Sequence, residues 1–229
     1  MARSFISGMA SGFISQMASS HISSFISWDE MWIFRDSLIS LVTGLTRPPM
    51  KTALILFADG SEELEAITVV NILRRAGVSV TLAGLNAGAL RGSRGTLLVP
   101  DATLDEALTH SYDMVVLPGG QPGSNNLKAD ARVLKLVQQM AQQGKYVTAI
   151  CAAPSVLATA GLLDGKQATC FPGALDAFPQ VVQRPAAVVE DGKLITSRGP
   201  GTAMDFALTL VERLTGKEKR LAVEAGLQR

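Results

Sequence analysis

From Lys51 onward, short unbroken apolar runs alternate with segments whose apolar residues recur every three or four positions. Ala53-Leu54-Ile55-Leu56-Phe57 is such a run, and a strand that is apolar at every position belongs in a parallel sheet covered on both faces. The next segment carries Leu64, Ile67, Val70, Ile72 and Leu73 and stops at Gly77, which predicts a core-facing helix. Ser61 stands where a helix cap is wanted, and Glu62 and Glu63 suit the positive end of the helix dipole. Val78–Leu82 and Met114–Leu117 predict two further strands, the second ending abruptly in Pro118-Gly119-Gly120. A helix follows from Ala131 with Val133, Leu134, Val137 and Met140 on one face, and the strand Tyr146–Ile150 runs directly into Cys151. Asp191-Gly192 between Ala186–Glu190 and Lys193–Thr196 is a hairpin signal. Thr202 is placed to cap a last long helix that turns Phe206, Leu210 and Leu214 to the core and ends at Gly216. Alternating strands and helices without an internal repeat predict an α/β fold, a doubly wound and mostly parallel sheet with helices on both faces.

The pattern begins only at about residue 50. The chain before Pro48-Pro49-Met50 is Ser-rich and irregular, with Phe-Ile-Ser repeated at Phe5, Phe13 and Phe25. The expected organisation is therefore an extension over 1–49 and an α/β domain over 50–229. Up to Ser27 the extension has no acidic residue, as in transit peptides, yet Arg3 is its only Lys or Arg. Met31, Phe34, Leu38, Leu41, Val42 and Leu45 recur at helical spacing, a stripe able to dock on a partner or membrane surface. The alternative is a disordered segment, or one never made because translation starts at Met50.

Composition narrows the function classes. An apolar content of 47% supports a sizeable core, and a net charge of +1 argues against a strongly basic nucleic-acid surface. No apolar run is long enough to span a bilayer. Two cysteines, Cys151 and Cys170, are too few for a disulfide scaffold and suit a reducing, cytoplasmic setting. His21 and His110 both lie away from the predicted strand ends, no Cys/His cluster has zinc spacing, and no phosphate-binding glycine loop follows a strand. No metal or cofactor is expected.

Ligands of open α/β sheets sit beyond the carboxyl ends of the strands, and three features fall there together. Gly60-Ser61-Glu62-Glu63-Leu64-Glu65 follows the first strand, Gly119-Gly120 the central one, and Cys151-Ala152-Ala153-Pro154 the next. At the start of a helix Cys151 would meet unpaired amides and a dipole that lower a thiol's pKa. Against this stands the ordinary fate of a free cysteine, that of a small buried hydrophobe. Glu65, between the apolar Leu64 and Ala66, is the carboxylate best placed to share a proton with the thiol, unless it is a solvated helix residue like Glu62 and Glu63. Gly119 and Gly120, with the amide of Ala152, offer donors to an oxyanion, or else form a plain turn. Cys170, beside Phe171-Pro172, reads as a packed thiol.

These segments, together with Leu117-Pro118-Gly119-Gly120, Ala149–Pro154 and Thr196-Ser197-Arg198-Gly199-Pro200-Gly201-Thr202, make residues 51–225 closely resemble the DJ-1/PfpI superfamily, in its DJ-1 branch near bacterial YajL-like proteins. The resemblance implies a flavodoxin-like fold, a homodimer, and Cys151 as an oxidisable nucleophile hydrogen-bonded by Glu65. It also implies anion-binding amides at Gly120 and Ala152, and a basic patch from Arg75, Arg94 and Arg198. PfpI-type proteases carry a histidine after the cysteine where this chain has Ala152, so a peptidase is not expected. DJ-1 itself has a histidine near the site where this chain reads Cys170-Phe171-Pro172. The expected activity is a glutathione-independent glyoxalase or deglycase acting on small 2-oxoaldehydes, methylglyoxal and glyoxal, or on glycated protein. The alternative is a redox-responsive chaperone or stress sensor working through oxidation of Cys151.

Overall fold

The computed structural model describes residues 49–229; the readings for the extension, including the apolar stripe over 31–45, lie outside the described residues. In chain order the described part runs β1 (Thr52–Phe57), α1 (Glu63–Arg75), β2 (Ser79–Gly84), β3 (Leu90–Arg91), β4 (Leu97–Leu98), β5 (Ala102–Thr103), α2 (Leu104–Ala107) and β6 (Met114–Leu117). It continues with α3 (Gly123–Ala129), α4 (Ala131–Gln142), β7 (Tyr146–Ile150), α5 (Pro154–Thr159), β8 (Gln167–Ala168), β9 (Val182–Gln183), β10 (Val188–Asp191), β11 (Leu194–Ser197), α6 (Ala203–Thr215) and α7 (Lys217–Gly226).

Seven strands form one sheet in the order β10-β11-β7-β6-β1-β2-β5, parallel throughout except for β10 against β11. The predicted mostly parallel α/β architecture is therefore present. From β1 the chain steps to β2 and β5 on one side, then returns to β6 on the other, so the order reverses between β1 and β6. Such a reversal opens a crevice at the strand ends.

The unbroken apolar run of β1 serves two cores, because alternate residues of a strand face opposite ways. Ala53, Ile55 and Phe57 pack with Val69 and Leu73 of α1 and with Phe206 and Leu210 of α6. Leu54 and Leu56 pack on the other face with Val133 and Val137 of α4 and Leu157 of α5.

Four local expectations are corrected. Ser61 does not cap α1: its hydroxyl accepts the Ala58 N–H at 3.1 Å, and the helix starts two residues later behind Glu62. Glu62 and Glu63 are buried rather than solvated, because both carboxylates are drawn onto the β3–β4 hairpin. Glu62 Oε2 accepts from Ser93 Oγ at 2.6 Å, and Glu63 Oε1 accepts the amides of Arg94 and Thr96 at 3.1 and 3.2 Å. Burial alone would raise the Glu63 pKa, but these amides outweigh it and bring it down to about 2. Leu64 and Ile67 do not face the core; α1 buries Ala66, Val69, Val70, Ile72 and Leu73 and leaves those two exposed. Thr202 stands at the start of α6, but its hydroxyl donates back to Gly199 O at 2.9 Å instead of capping the helix.

Candidate active site

The thiol, the carboxylate and the paired glycines arrive at the crevice from three different connections. β7 is buried through Ile150 and delivers Cys151 at its carboxyl end. Cys151 holds φ 65°, and with Gln228 it makes up the non-glycine residues at positive φ among those described. A side chain in that region costs about 1–2 kcal/mol, so the conformation must be imposed from outside. Its N–H donates to Ser197 O at the end of β11 (2.9 Å), and its C=O accepts the Phe171 N–H (2.7 Å). The residue as a whole is left nearly buried, at 8% exposure.

Glu65 lies in the first turn of α1 and is fully buried. Oε2 accepts the Gly119 N–H at 2.7 Å, while Oε1 is buried without a hydrogen-bond partner. The Cys151 thiol is the interacting neighbour of this carboxyl. Burial pushes the Glu65 carboxyl up to about 7, against the pull of the Gly119 amide.

The thiol moves the opposite way from the sequence expectation. Burial, then the Glu65 charge, push Cys151 up to about 12, although the amides of Gly120 and Ala152 act on the sulfur to lower it. The reason is positional. Cys151 is not in a helical turn but stands ahead of α5, which begins only at Pro154 and is six residues long. The dipole is therefore weak and distant, and a buried carboxyl is near. Two acids side by side in a low dielectric resist carrying two charges, so above neutral pH the pair holds one proton between them.

Gly119 is also reassigned. Its amide is committed to Glu65, so the two amides left on the thiol are those of Gly120 and Ala152. A Cβ on Gly119 would stand 2.5 Å from the Cys151 Cβ, so the close approach of the two loops needs glycine there. Gly120 is at φ 84°, and a Cβ there would fall 2.4 Å from Glu62 N. Gly120→Ala is expected to destabilise the fold by at least ~2 kcal/mol, the left-handed cost plus a backbone overlap that no rotamer relieves. The shift of a urea unfolding midpoint at constant slope measures it.

The three arginines stand on separate parts of the chain, at the end of α1, in the β3–β4 hairpin and after β11. Arg198 lines a cavity of about 290 Å³ together with Phe171, Gly199 and Thr202. Arg94 is largely exposed at the hairpin, its Nε 3.7 Å from Glu62 Oε2. Arg75 ends α1, ten residues and therefore roughly 15 Å along the helix from Glu65. Cys170 is buried with Sγ 3.8 Å from Gln183 Oε1, and burial raises its pKa.

Two participants escaped the sequence reading. Ser197 O anchors the Cys151 amide, and Phe171 both holds the Cys151 carbonyl and walls the cavity. The Phe171-Pro172 pair had been marked only for the histidine it lacks.

The sequence and the fold match known proteins. The DJ-1/PfpI family pattern covers residues 51–213. The chain belongs to that family. Among its relatives, protein dj-1beta of Drosophila melanogaster is 45% identical over 183 residues, covering 77% of this chain and 96% of that protein. The crystal structure of Drosophila DJ-1beta superposes with a TM-score of 0.75 at 44% identity, covering 78% of this chain and 98% of that one. A Caenorhabditis elegans protein named glutathione-independent glyoxalase DJR-1.2 is 34% identical over 172 residues, covering 74% of this chain and 91% of that protein. Within this family the chain has DJ-1 homologues as close relatives, and no helix among its described residues is long and apolar enough to cross a membrane.

Proposed function

We propose that this DJ-1/PfpI-family protein is a glutathione-independent glyoxalase that converts methylglyoxal and glyoxal to 2-hydroxyacids, with Cys151 as nucleophile and Glu65 as acid and base. The observation that carries the reading is the buried Glu65 carboxyl beside the thiol, with one oxygen free to take and return a proton. The name of the nematode relative supports the substrate class.

Ionised Glu65 takes the thiol proton as sulfur bonds to the aldehyde carbon, and returns it to the new alkoxide to complete the hemithioacetal. The amides of Gly120 and Ala152, which act on the sulfur at rest, turn to the growing oxyanion as the sulfur bonds to carbon. Glu65 then removes the proton from the former aldehyde carbon, giving an enediolate. It delivers that proton to the adjacent carbon while the hydroxyl proton on the sulfur-bearing carbon passes to the neighbouring oxygen, which leaves a 2-hydroxyacyl thioester. Water cleaves the thioester to lactate or glycolate and restores the thiol. One carbon is oxidised and its neighbour reduced, so no external redox partner is needed.

The same reading makes the protein a cytoplasmic homodimer. The exposed Leu64 and Ile67 lie with Met204 and Leu227 around one apolar groove of a kind that a second copy covers. Release of the sugar-derived adduct from glycated protein would use the same attack. A second reading, in which Cys151 is oxidised to a sulfinate held by Glu65 and the two amides, is favoured by the same donors pointing at the sulfur.

Lactate formed from methylglyoxal without glutathione tests the proposal. Multiple turnovers are expected, with kcat/KM falling about tenfold per pH unit below about pH 7. There Glu65 is protonated and can no longer accept the thiol proton. With the thiol raised far above this range, no second limb is expected up to pH 9. Consumption of one methylglyoxal per protein with no lactate would end the enzymatic reading.

A further inference from the structure

A cavity next to Gly199 is lined by three apolar rings, those of Phe171, Pro172 and Pro200, and by Gly199 and Gly201. Its polar side chains are turned to other work. The Thr202 hydroxyl is engaged with Gly199 O at 2.9 Å and with Ser197 Oγ at 2.7 Å. Arg198 runs along the cavity edge to Pro185 O, 3.4 Å from its Nη1.

Phe171 is the ring that reaches the sulfur's neighbourhood. A methyl group placed on Gly199 would touch the Phe171 ring at 3.5 Å and Cys151 Sγ at 4.0 Å, so ring edge and sulfur border the same small volume. The ring is held there by its own backbone, whose N–H is bound to the Cys151 carbonyl, yet half of the residue is exposed to solvent. An apolar surface held beside a reacting atom gains by being covered, and a substrate bearing an alkyl group next to its carbonyls covers it. Glyoxal has no such group. Of the two hydrogen-bonding side chains in the lining, Thr202 is engaged within its own turn and Arg198 directs one nitrogen to Pro185 O, so the ring is the largest apolar surface offered to a substituent.

We infer that Phe171 is a specificity-determining residue, and that its ring directs the site toward 2-oxoaldehydes with an apolar alkyl substituent in preference to glyoxal. The inference rests on the glyoxalase reading and adds the substituent class to it. Phe171 performs no proton transfer, so its effect lies in the discrimination between substrates.

The test compares kcat/KM for glyoxal, methylglyoxal and 2-oxohexanal in the wild type, Phe171→Ala and Phe171→Leu. The wild type is expected to favour the longer alkyl group. Phe171→Ala should lower the 2-oxohexanal to glyoxal ratio of kcat/KM about tenfold, mainly through a higher KM for 2-oxohexanal. Phe171→Leu should fall between, and it decides the matter if the alanine variant does not fold. An unchanged ratio in the folded variants overturns the inference, as does an equal loss on both substrates, which would make the ring a mere support. Failure of the folded wild type to turn over any 2-oxoaldehyde overturns the glyoxalase reading itself, and this inference with it.

Discussion

Cys151→Ala is expected to form no lactate from methylglyoxal above the uncatalysed rate, a loss of at least ~10³-fold, while keeping its fold. The size of the loss follows from the roles assigned to the residue, since without sulfur no hemithioacetal holds the substrate and Glu65 has nothing to act upon. The fold should survive because alanine fits the space of the thiol and inherits the same positive φ. Circular dichroism and a melting curve check that half, and quantified lactate checks the other. Residual turnover near the wild-type rate would show that the reaction belongs to another group. The same variant separates the redox reading: after limited peroxide, intact mass should show added oxygen on the wild type and little on the variant, whose remaining thiol, Cys170, lacks the Glu65 carboxyl that can take the Cys151 proton.

Glu65→Gln is expected to abolish turnover and, at the same time, to make the protein more stable at alkaline pH. Gln can still accept the Gly119 amide but cannot take a proton from the thiol. The stability half follows from linkage. The Glu65 carboxyl titrates at about 7 in the folded chain against 4.5 for an unhindered carboxyl. Below pH 4.5 it is neutral in both states and costs nothing. As pH rises through 7, the unfolded state gains from ionisation that burial denies to the folded one, a penalty approaching about 3 kcal/mol. Gln does not titrate, so its advantage should be small at pH 4.5 and grow to a Tm gain on the order of 5–10 °C by pH 8. Melting curves at the two pH values measure it. A Tm difference independent of pH would mean that the carboxyl is not held protonated by the fold.

What could be read from the residues was what depends on neighbours in the chain. β6 is an unbroken apolar run, and β1 and β7 are apolar but for Thr52 and Thr148, so their parallel packing follows from having no polar face. The meeting of Glu65, Gly120 and Cys151 was legible because each lies in the turn or helix start that comes after such a strand. What stayed hidden depends on partners far along the chain. Glu62 and Glu63 are buried by a hairpin some thirty residues away. The direction of the thiol's shift depends on how deeply the β11 end and the Phe171 segment enclose it. Helix α3 carries one buried leucine, Leu127, in an otherwise small and polar stretch, so it has no apolar stripe to announce it.

The clamp on the Cys151 backbone bears on motion as well as on position. Its amide is tied to the end of β11 and its carbonyl to the Phe171 segment, so neither peptide unit can swing free without releasing a sheet neighbour or the cavity wall. Local opening at such a residue approaches the free energy of global unfolding. The nucleophile is thus as rigid as the sheet that carries it. Warming should not pass through a folded state with a loosened thiol: competence and structure end together.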